Sequence, residues 1–363
     1  MNKIKVLHIV PNMQAGGLET FIMNIMYNID RKKIQFDFLV HYKERKFYDD
    51  EIESLGGKIH RLSVREDNNI IKYIFDLNRF FKTHKEYKII HCHMESLGFL
   101  IFLIAKINGV KVRIAHSHNI NTENTFKGKI KYFLSRFFKY LSTDNFACSK
   151  EAGDYLFKNH KYEIIPNAID LTKFKFSKEK RNKIRNELNI DKDTIVIGHI
   201  GRFCKQKNHN QLIDIFNEYQ KNNPNTKLIL VGTGEELDNI KEKCIKLNLS
   251  NKVIFLSNRK DTDYLYSTFD IFLFPSLFEG LGIVLIEAQM SGLMCYTTDK
   301  TVPKEACISN RLTYIKINDD WTNKLINNNK YDRKNIKFNN NKENYNIIKL
   351  TKKLQEFYLK KYN

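Results

Sequence analysis

An α/β fold built from two doubly wound, Rossmann-like domains is what this sequence predicts, on three observations. Short β-branched or apolar runs alternate with stretches of helical spacing, the pattern of parallel strands joined by crossover helices. The pattern starts again near residue 194. The length, 363 residues, suits two domains with ample buried cores.

In the first half, strands are predicted at 4–10, 36–40, 58–62, 88–91, 110–115, 145–148 and 163–165. Between them, Phe21, Ile25 and Met26 follow Gly16-Gly17 at helical spacing, and Ile71, Ile74, Leu77 and Phe81 do the same later. In the second half, strands are predicted at 194–200, 227–231, 252–256 and 270–274, with Gln211, Leu212, Ile215 and Phe216 as the apolar face of one intervening helix. Residues 166–177 separate the halves, and Ile348, Leu350, Leu354, Phe357 and Tyr358 mark a terminal helix. The expected organisation is an N-terminal domain over 1–170, a second domain over 171–344, and a helix over 345–363 packing back toward the first. Open parallel sheets bind ligands at the carboxyl ends of their strands, so two such domains facing each other predict a cleft between them.

Composition narrows the function classes. With 42% hydrophobic residues, 26 Phe and 18 Tyr, wholesale disorder is excluded. Six cysteines with no C-x-x-C pair give neither a disulfide framework nor a cysteine zinc site and fit a reducing cytosol. The longest apolar run, residues 97–105, is short of the roughly 20 residues a spanning helix needs. The opening residues read as a strand and not as a secretion signal. The formal charge of +20 would attract phosphate, nucleic acid or an anionic membrane, although a Lys-, Asn- and Ile-rich coding bias accounts for such an excess equally well. Part of it is concentrated: residues 101–150 hold nine Lys or Arg against Glu123 and Asp144. There, residues 126–141 alternate basic and bulky apolar side chains, which suits an anionic lipid surface or, with aromatics inward, a core helix.

The most informative stretch is residues 270–292. A buried strand ends at Pro275, a loop carries Glu279, Gly280, Leu281 and Gly282, and a helix containing Glu287 follows. Glycines allow backbone N–H groups close to a ligand, and a helix N-terminus favours phosphate. Two carboxylates beside an anion site are suited to accepting hydrogen bonds from neutral hydroxyls on either side of it. A nucleotide sugar has that layout. Residues 201–208, with Arg202 and Lys207, also follow a strand and open a helix, placing two cations where a pyrophosphate could lie.

These motifs resemble those of the retaining GT-B glycosyltransferases of family 4, particularly the bacterial members that build capsular and extracellular polysaccharides, and the similarity covers nearly the whole chain. The resemblance implies that Glu279 contacts the donor hexose and Glu287 the ribose hydroxyls. It implies that Arg202 and Lys207 neutralise the leaving nucleoside diphosphate, that Gly232 belongs to the glycine turn after the next strand, and that the segment ending at Arg259 reads the nucleobase through its backbone. Ser257 stands there where many relatives have glycine. Gly16 and Gly17 match the glycine loop near the donor phosphate, and His116 the histidine lining the reaction centre. His91, His93, His116 and His118 invite a metal reading, which is set aside because the family needs none and no acidic ligand accompanies them closely. Asp261-Thr262-Asp263 imitates a D-x-D metal motif, yet it precedes Tyr264, Leu265 and Tyr266, where an aspartate is expected to cap a helix.

The expected function is transfer of a hexosyl unit from a nucleotide sugar, a UDP-sugar, to a lipid-linked glycan with retention of configuration. The catalytic set is Glu279, His116, Arg202 and Lys207, with no metal or other cofactor, on the cytoplasmic face of the membrane. The alternatives are a GT-B relative acting as nucleotide-sugar epimerase or hydrolase, a basic nucleic-acid-binding protein, and a non-catalytic scaffold. No stacking-aromatic nucleic-acid module supports the second of these.

Overall fold

The computed structural model describes residues 3–63, 69–118, 137–326 and 332–362. The chain divides into two compact units, residues 1–168 with 347–363, and residues 169–346. Each is an α/β unit on a wholly parallel sheet.

In the first unit the strands are β1 (Ile4–Val10), β2 (Ile34–Val40), β3 (Ile59–Arg61), β4 (Ile89–Cys92), β5 (Val112–Ser117), β6 (Asp144–Ala147) and β7 (Glu163–Ile164), in the sheet order β3-β2-β1-β4-β5-β6-β7. Order reverses at β1, which pairs with β2 on one side and β4 on the other. Both sheet faces are covered. On one, Phe36, Phe38 and Ile114 pack with Phe21, Ile25 and Met26 of the helix Gly17–Asn28 and with Leu350, Leu354 and Tyr358 of the last helix, Ile347–Tyr362. On the other, Leu7, Ile9 and Ile90 pack with the helix Ile70–Thr83 and with Phe102 of the helix Glu95–Ile107.

The second unit has β8 (Ile195–Ile200), β9 (Thr226–Val231), β10 (Val253–Leu256), β11 (Ile271–Phe274), β12 (Met294–Thr298) and β13 (Leu312–Ile315), ordered β10-β9-β8-β11-β12-β13. Here the reversal falls between β8 and β11. Two strands went unpredicted. β12 (MCYTT) and β13 (LTYI) carry no run of Ile, Val or Leu; β12 is buried by its place inside the sheet, and β13 is a half-buried edge strand.

Two helical stripes are corrected. Ile71 is 65% exposed, and the helix Ile70–Thr83 buries Tyr73, Leu77, Phe80 and Phe81, a stripe at i, i+4, i+7 and i+8 from which Ile71 is offset. Ile348 is likewise exposed, because the last helix buries Ile347, Leu350, Thr351, Leu354 and Tyr358. Of the basic segment 126–141, residues 126–136 lie outside the described residues. At its end Phe138 is buried against Phe102, with ring centroids 4.5 Å apart, whereas Tyr140 is exposed. Among the described residues, no helix is long and apolar enough to cross a membrane.

The last helix is held by burial, since Leu354 is 1% exposed. Leu354→Ala should therefore cost about 2–5 kcal/mol of stability, read as a lowered urea midpoint of the far-ultraviolet circular dichroism transition.

Candidate functional site

Where strand order reverses, the loops after two neighbouring strands leave in opposite directions and open a crevice at their carboxyl ends. In the second unit those loops follow β8 and β11, and they carry Lys207 and Glu279. After β8 the chain makes a short 3-10 turn, Lys205–Lys207, and enters the helix His209–Asn222 through Asn208 in the left-handed conformation. After β11 the loop reaches Gly282, whose φ of 77° begins the helix Ile283–Met290. A Cβ there would meet its neighbours at an ordinary 3.5 Å, so the backbone conformation, and not space, calls for glycine.

The two loops are tied together. Leu277 N donates to Gln206 O at 2.8 Å, and Gln206 Nε2 donates to Phe278 O at 2.8 Å. From the other side, Glu279 N donates to Thr301 O at 2.9 Å, and Thr301 Oγ1 to Ser276 O at 2.9 Å. This frame presents Glu279 to Lys207, whose Nζ donates to Glu279 Oε1 at 2.6 Å and lies 4.7 Å from the centre of the Phe274 ring. Both side chains are largely buried, at 17% and 8% exposure. The predicted phosphate cation and the predicted sugar-binding carboxylate thus neutralise each other without ligand.

Glu287, one turn into the helix, is buried and accepts a 2.7 Å hydrogen bond from the Tyr266 hydroxyl. Burial raises its carboxyl to about 7, against the lowering effect of that hydrogen bond and of Lys173. It is no solvated helix residue. Tyr266, which holds it, was not singled out from the sequence, because an apolar strand-flanking helix hides a functional hydroxyl well.

The remaining predicted residues of this unit occupy different settings. Arg202 is 70% exposed at its side chain and pairs with Glu235 at 2.9 Å. Gly232, at φ 148°, lies so close to Gly201 that a Cβ would stand 2.2 Å from the Gly201 carbonyl oxygen. Its glycine is required by packing between the β8 and β9 loops. Arg259 is clamped by Glu187 at 2.5 Å and Asp261 at 2.7 Å, so its side chain serves the fold. That clamp also corrects the reading of Asp261. It stands at the N-terminus of the helix Thr262–Thr268, but its carboxylate makes no capping bond and faces Arg259 instead. Asp263 meets Lys180 at 2.6 Å, so the two aspartates serve separate cations.

In the first unit the reversal point holds histidines. His8 of β1 is in register with His91 of β4, and His116 lies on the next strand, β5. His8 Nδ1 is 3.1 Å from His93 Nε2, His93 Nδ1 is 2.9 Å from His118 Nε2, and His91 Nε2 is 3.1 Å from His116 Nδ1. His91 Nδ1 is 2.7 Å from the Tyr358 hydroxyl of the last helix. Burial pushes His8 and His118 down to about 3 and holds His91, His93 and His116 well below the ordinary imidazole value. His8 and Tyr358 were missed, since each sits in a stretch that reads as plain strand or plain helix. Nearby, Gly16 is extended at the start of the helix Gly17–Asn28, and the Glu19 side chain folds back so that a Cβ on Gly16 would stand 2.3 Å from Glu19 Oε2. Burial raises the Glu19 carboxyl to about 7.

Residues 15–173 match the family described as Glycosyltransferase Family 4, and residues 180–344 match Glycosyl transferases group 1. The chain is 33% identical over 308 residues to a protein of Bacillus subtilis (strain 168) named as the glycosyltransferase EpsF, covering 83% of this chain and 80% of EpsF. It is 25% identical over 315 residues to the UDP-Gal:alpha-D-GlcNAc-diphosphoundecaprenol alpha-1,3-galactosyltransferase of Escherichia coli, covering 82% and 80%. Among solved structures, Anabaena Alr3699/HepE in complex with UDP and glucose superimposes with a TM-score of 0.79 at 17% identity, over 98% of this chain and 99% of that one.

The Glu287 setting has a pH signature. A carboxyl raised from 4.5 to about 7 on folding keeps a proton that the unfolded chain has released, so stability falls as pH rises across that window. Glu287→Gln should remove about 3 kcal/mol of that fall. Urea denaturation of ligand-free protein at pH 5 and pH 8 would show the variant gaining on wild type only at the higher pH.

Proposed function

The chain belongs to the GT-B glycosyltransferases of family 4, and on that premise we propose that it moves a hexosyl unit from a UDP-sugar to a lipid-linked glycan with retention of configuration. The observation that carries the reading is the Lys207–Glu279 pair at the strand-order reversal of the second unit, with buried Glu287 in the helix that follows.

In this reading the diphosphate takes Lys207 from Glu279. The cation gains a doubly charged partner, and the freed carboxylate becomes an acceptor for hexose hydroxyls. Gly280, Leu281 and Gly282 offer backbone N–H groups, and the helix Ile283–Met290 its N-terminus, to the phosphates. Arg202, on the exposed rim, leaves Glu235 to complete the clamp. Glu287 accepts from the ribose hydroxyls while Tyr266 holds its second oxygen. By the family resemblance, Gly16 and Gly17 are assigned to the donor phosphate and His116 to polarising groups near the anomeric carbon.

As the glycosidic bond to the diphosphate lengthens, negative charge grows on the leaving oxygen and Lys207 stabilises it. That oxygen takes the acceptor hydroxyl's proton on the face where the new bond forms, so configuration is kept. No carboxylate nucleophile and no metal enter these steps. The acceptor is a glycan on a lipid diphosphate carrier, as in the name of the Escherichia coli relative. The protein works at the cytoplasmic face of the membrane, with residues 126–141 against anionic lipid. A nucleotide-sugar hydrolase or epimerase is the competing chemistry, told apart by whether product appears only with acceptor.

Lys207→Ala should lower transfer about 10²–10³-fold. Glu279→Gln keeps an acceptor oxygen for Lys207 and should still lose most transfer, so undiminished turnover in both variants would overturn the assignment. Calorimetry against UDP, GDP and ADP sugars should show one saturable donor, and a flat response would sink the donor reading. Replacing Lys127, Lys129 and Lys131 with Ala should weaken binding to anionic vesicles by about 1 kcal/mol per lysine and leave UDP binding intact, as measured by sedimentation and calorimetry.

A further inference from the structure

Transfer chemistry uses one of the five histidines gathered at the reversal point of the first unit and leaves the others without a task. Their arrangement has an internal order. His91 and His93 are two residues apart and so are His116 and His118, which at strand periodicity puts each pair on one face. The β4–β5 register sets His91 beside Ile114, and two residues further on it brings His93 level with His116. One ring nitrogen from each of His93, His116 and His118 lies within 4.8 Å of the other two.

We propose that His93, His116 and His118 form a three-nitrogen site for a divalent transition-metal ion of the zinc class, oriented from behind by His8, His91 and Tyr358. Proton accounting carries this. A neutral imidazole has one N–H and one lone pair. If His116 Nδ1–H donates to His91 Nε2, and His91 Nδ1–H donates to the Tyr358 oxygen, the His116 Nε2 lone pair is left over. That nitrogen is buried and makes no well-formed hydrogen bond, with the Ile165 backbone carbonyl beside the ring as its competitor for a proton. If His93 Nε2–H donates to His8 Nδ1, the His93 Nδ1 lone pair faces His118 across 2.9 Å. One set of tautomers therefore leaves lone pairs on His116 Nε2 and His93 Nδ1, and His118 Nε2 joins them by giving up the proton it shares with His93.

Two of the three ligands have a polar group on their other nitrogen, His116 Nδ1 meeting His91 and His93 Nε2 meeting His8, whereas His118 Nδ1 is buried without one. Metal-binding histidines ordinarily have such a partner. Ligands at about 2.0–2.1 Å around a tetrahedral ion stand about 3.3 Å apart, so His93 and His118 need to separate by only a few tenths of an ångström. Three imidazoles suffice for zinc without a carboxylate. The lack of a nearby acid, which spoke against a metal in the sequence, therefore does not decide the matter. The ion would occupy His116, which the proposed transfer also uses, but its binding is measured without donor or acceptor, so failure of the site and failure of the donor reading are told apart.

The test uses full-length protein freed of metal by chelation. Equilibrium dialysis against zinc should give one saturable equivalent, and cobalt should give the visible absorption of a tetrahedral site. His93→Asn and His118→Asn should each lose that equivalent, and Tyr358→Phe should keep it with affinity weakened about 10–100-fold. No saturable equivalent in wild type, undiminished binding in both Asn variants, or unchanged affinity in Tyr358→Phe would overturn the site. Tyr358→Phe removes only a hydroxyl, so it decides the question even where an Asn variant does not fold.

Discussion

Everything chemical in this protein depends on one constraint of parallel sheets. A crossover returns each new strand alongside the last, and where the order reverses the two central strands send their loops apart. In the first unit that place lies between β1 and β4, in the second between β8 and β11. The histidine group and the Lys207–Glu279 pair occupy these two reversal points, where side chains of three strands in one unit and of two loops in the other converge.

Convergence carries an electrostatic cost, and the two units meet it differently. In the second, a buried cation and a buried anion are brought together at 2.6 Å, which avoids leaving either charge alone in a poor solvent. The neighbouring acid, Glu287, has no cation bonded to it and stays near neutrality through burial, holding a tyrosine hydroxyl. In the first unit there is no ion pair among the histidines. Every ring is kept uncharged by burial, and hydrogen bonds pass from ring to ring. The first arrangement meets the cost by pairing opposite charges, the second by carrying none.

Both domains, their central strands and the loop bearing Glu279 and Gly282 were legible in the sequence, because apolar runs, glycines and a helix restart leave local signals. The Lys207–Glu279 contact was not, since its partners are 72 residues apart and meet only through the β8–β11 pairing. The partners of Glu287 and His91 were hidden for a related reason. Tyr266 and Tyr358 lie on apolar helical faces and read as core, which they also are. Asp261 shows the opposite error. Its position announces a cap, yet a guanidinium within reach outbids a backbone N–H for the carboxylate.

The net charge of +20 takes on a different meaning once the cations are located. Several arginines of the second unit are structural clamps. Arg181 and Arg185 bracket Asp270 at the entry to β11, and Arg333 donates to the carbonyls of Tyr266, Ser267 and Phe269 while lying over the Phe176 ring. Guanidinium groups can satisfy several carbonyls at once and tolerate partial burial, and ammonium groups do so less well. Asp270 matches one of the two guanidinium charges beside it and the Arg333 bonds are to neutral carbonyls, so these clamps fix the position of positive charge without cancelling it. Exposed lysines add to that field, which falls over about 10 Å at moderate salt. A field of that kind attracts anions without choosing among them. In the proposed reading the choice falls to Lys207, which is largely buried and already paired with Glu279, so a ligand has to replace that carboxylate.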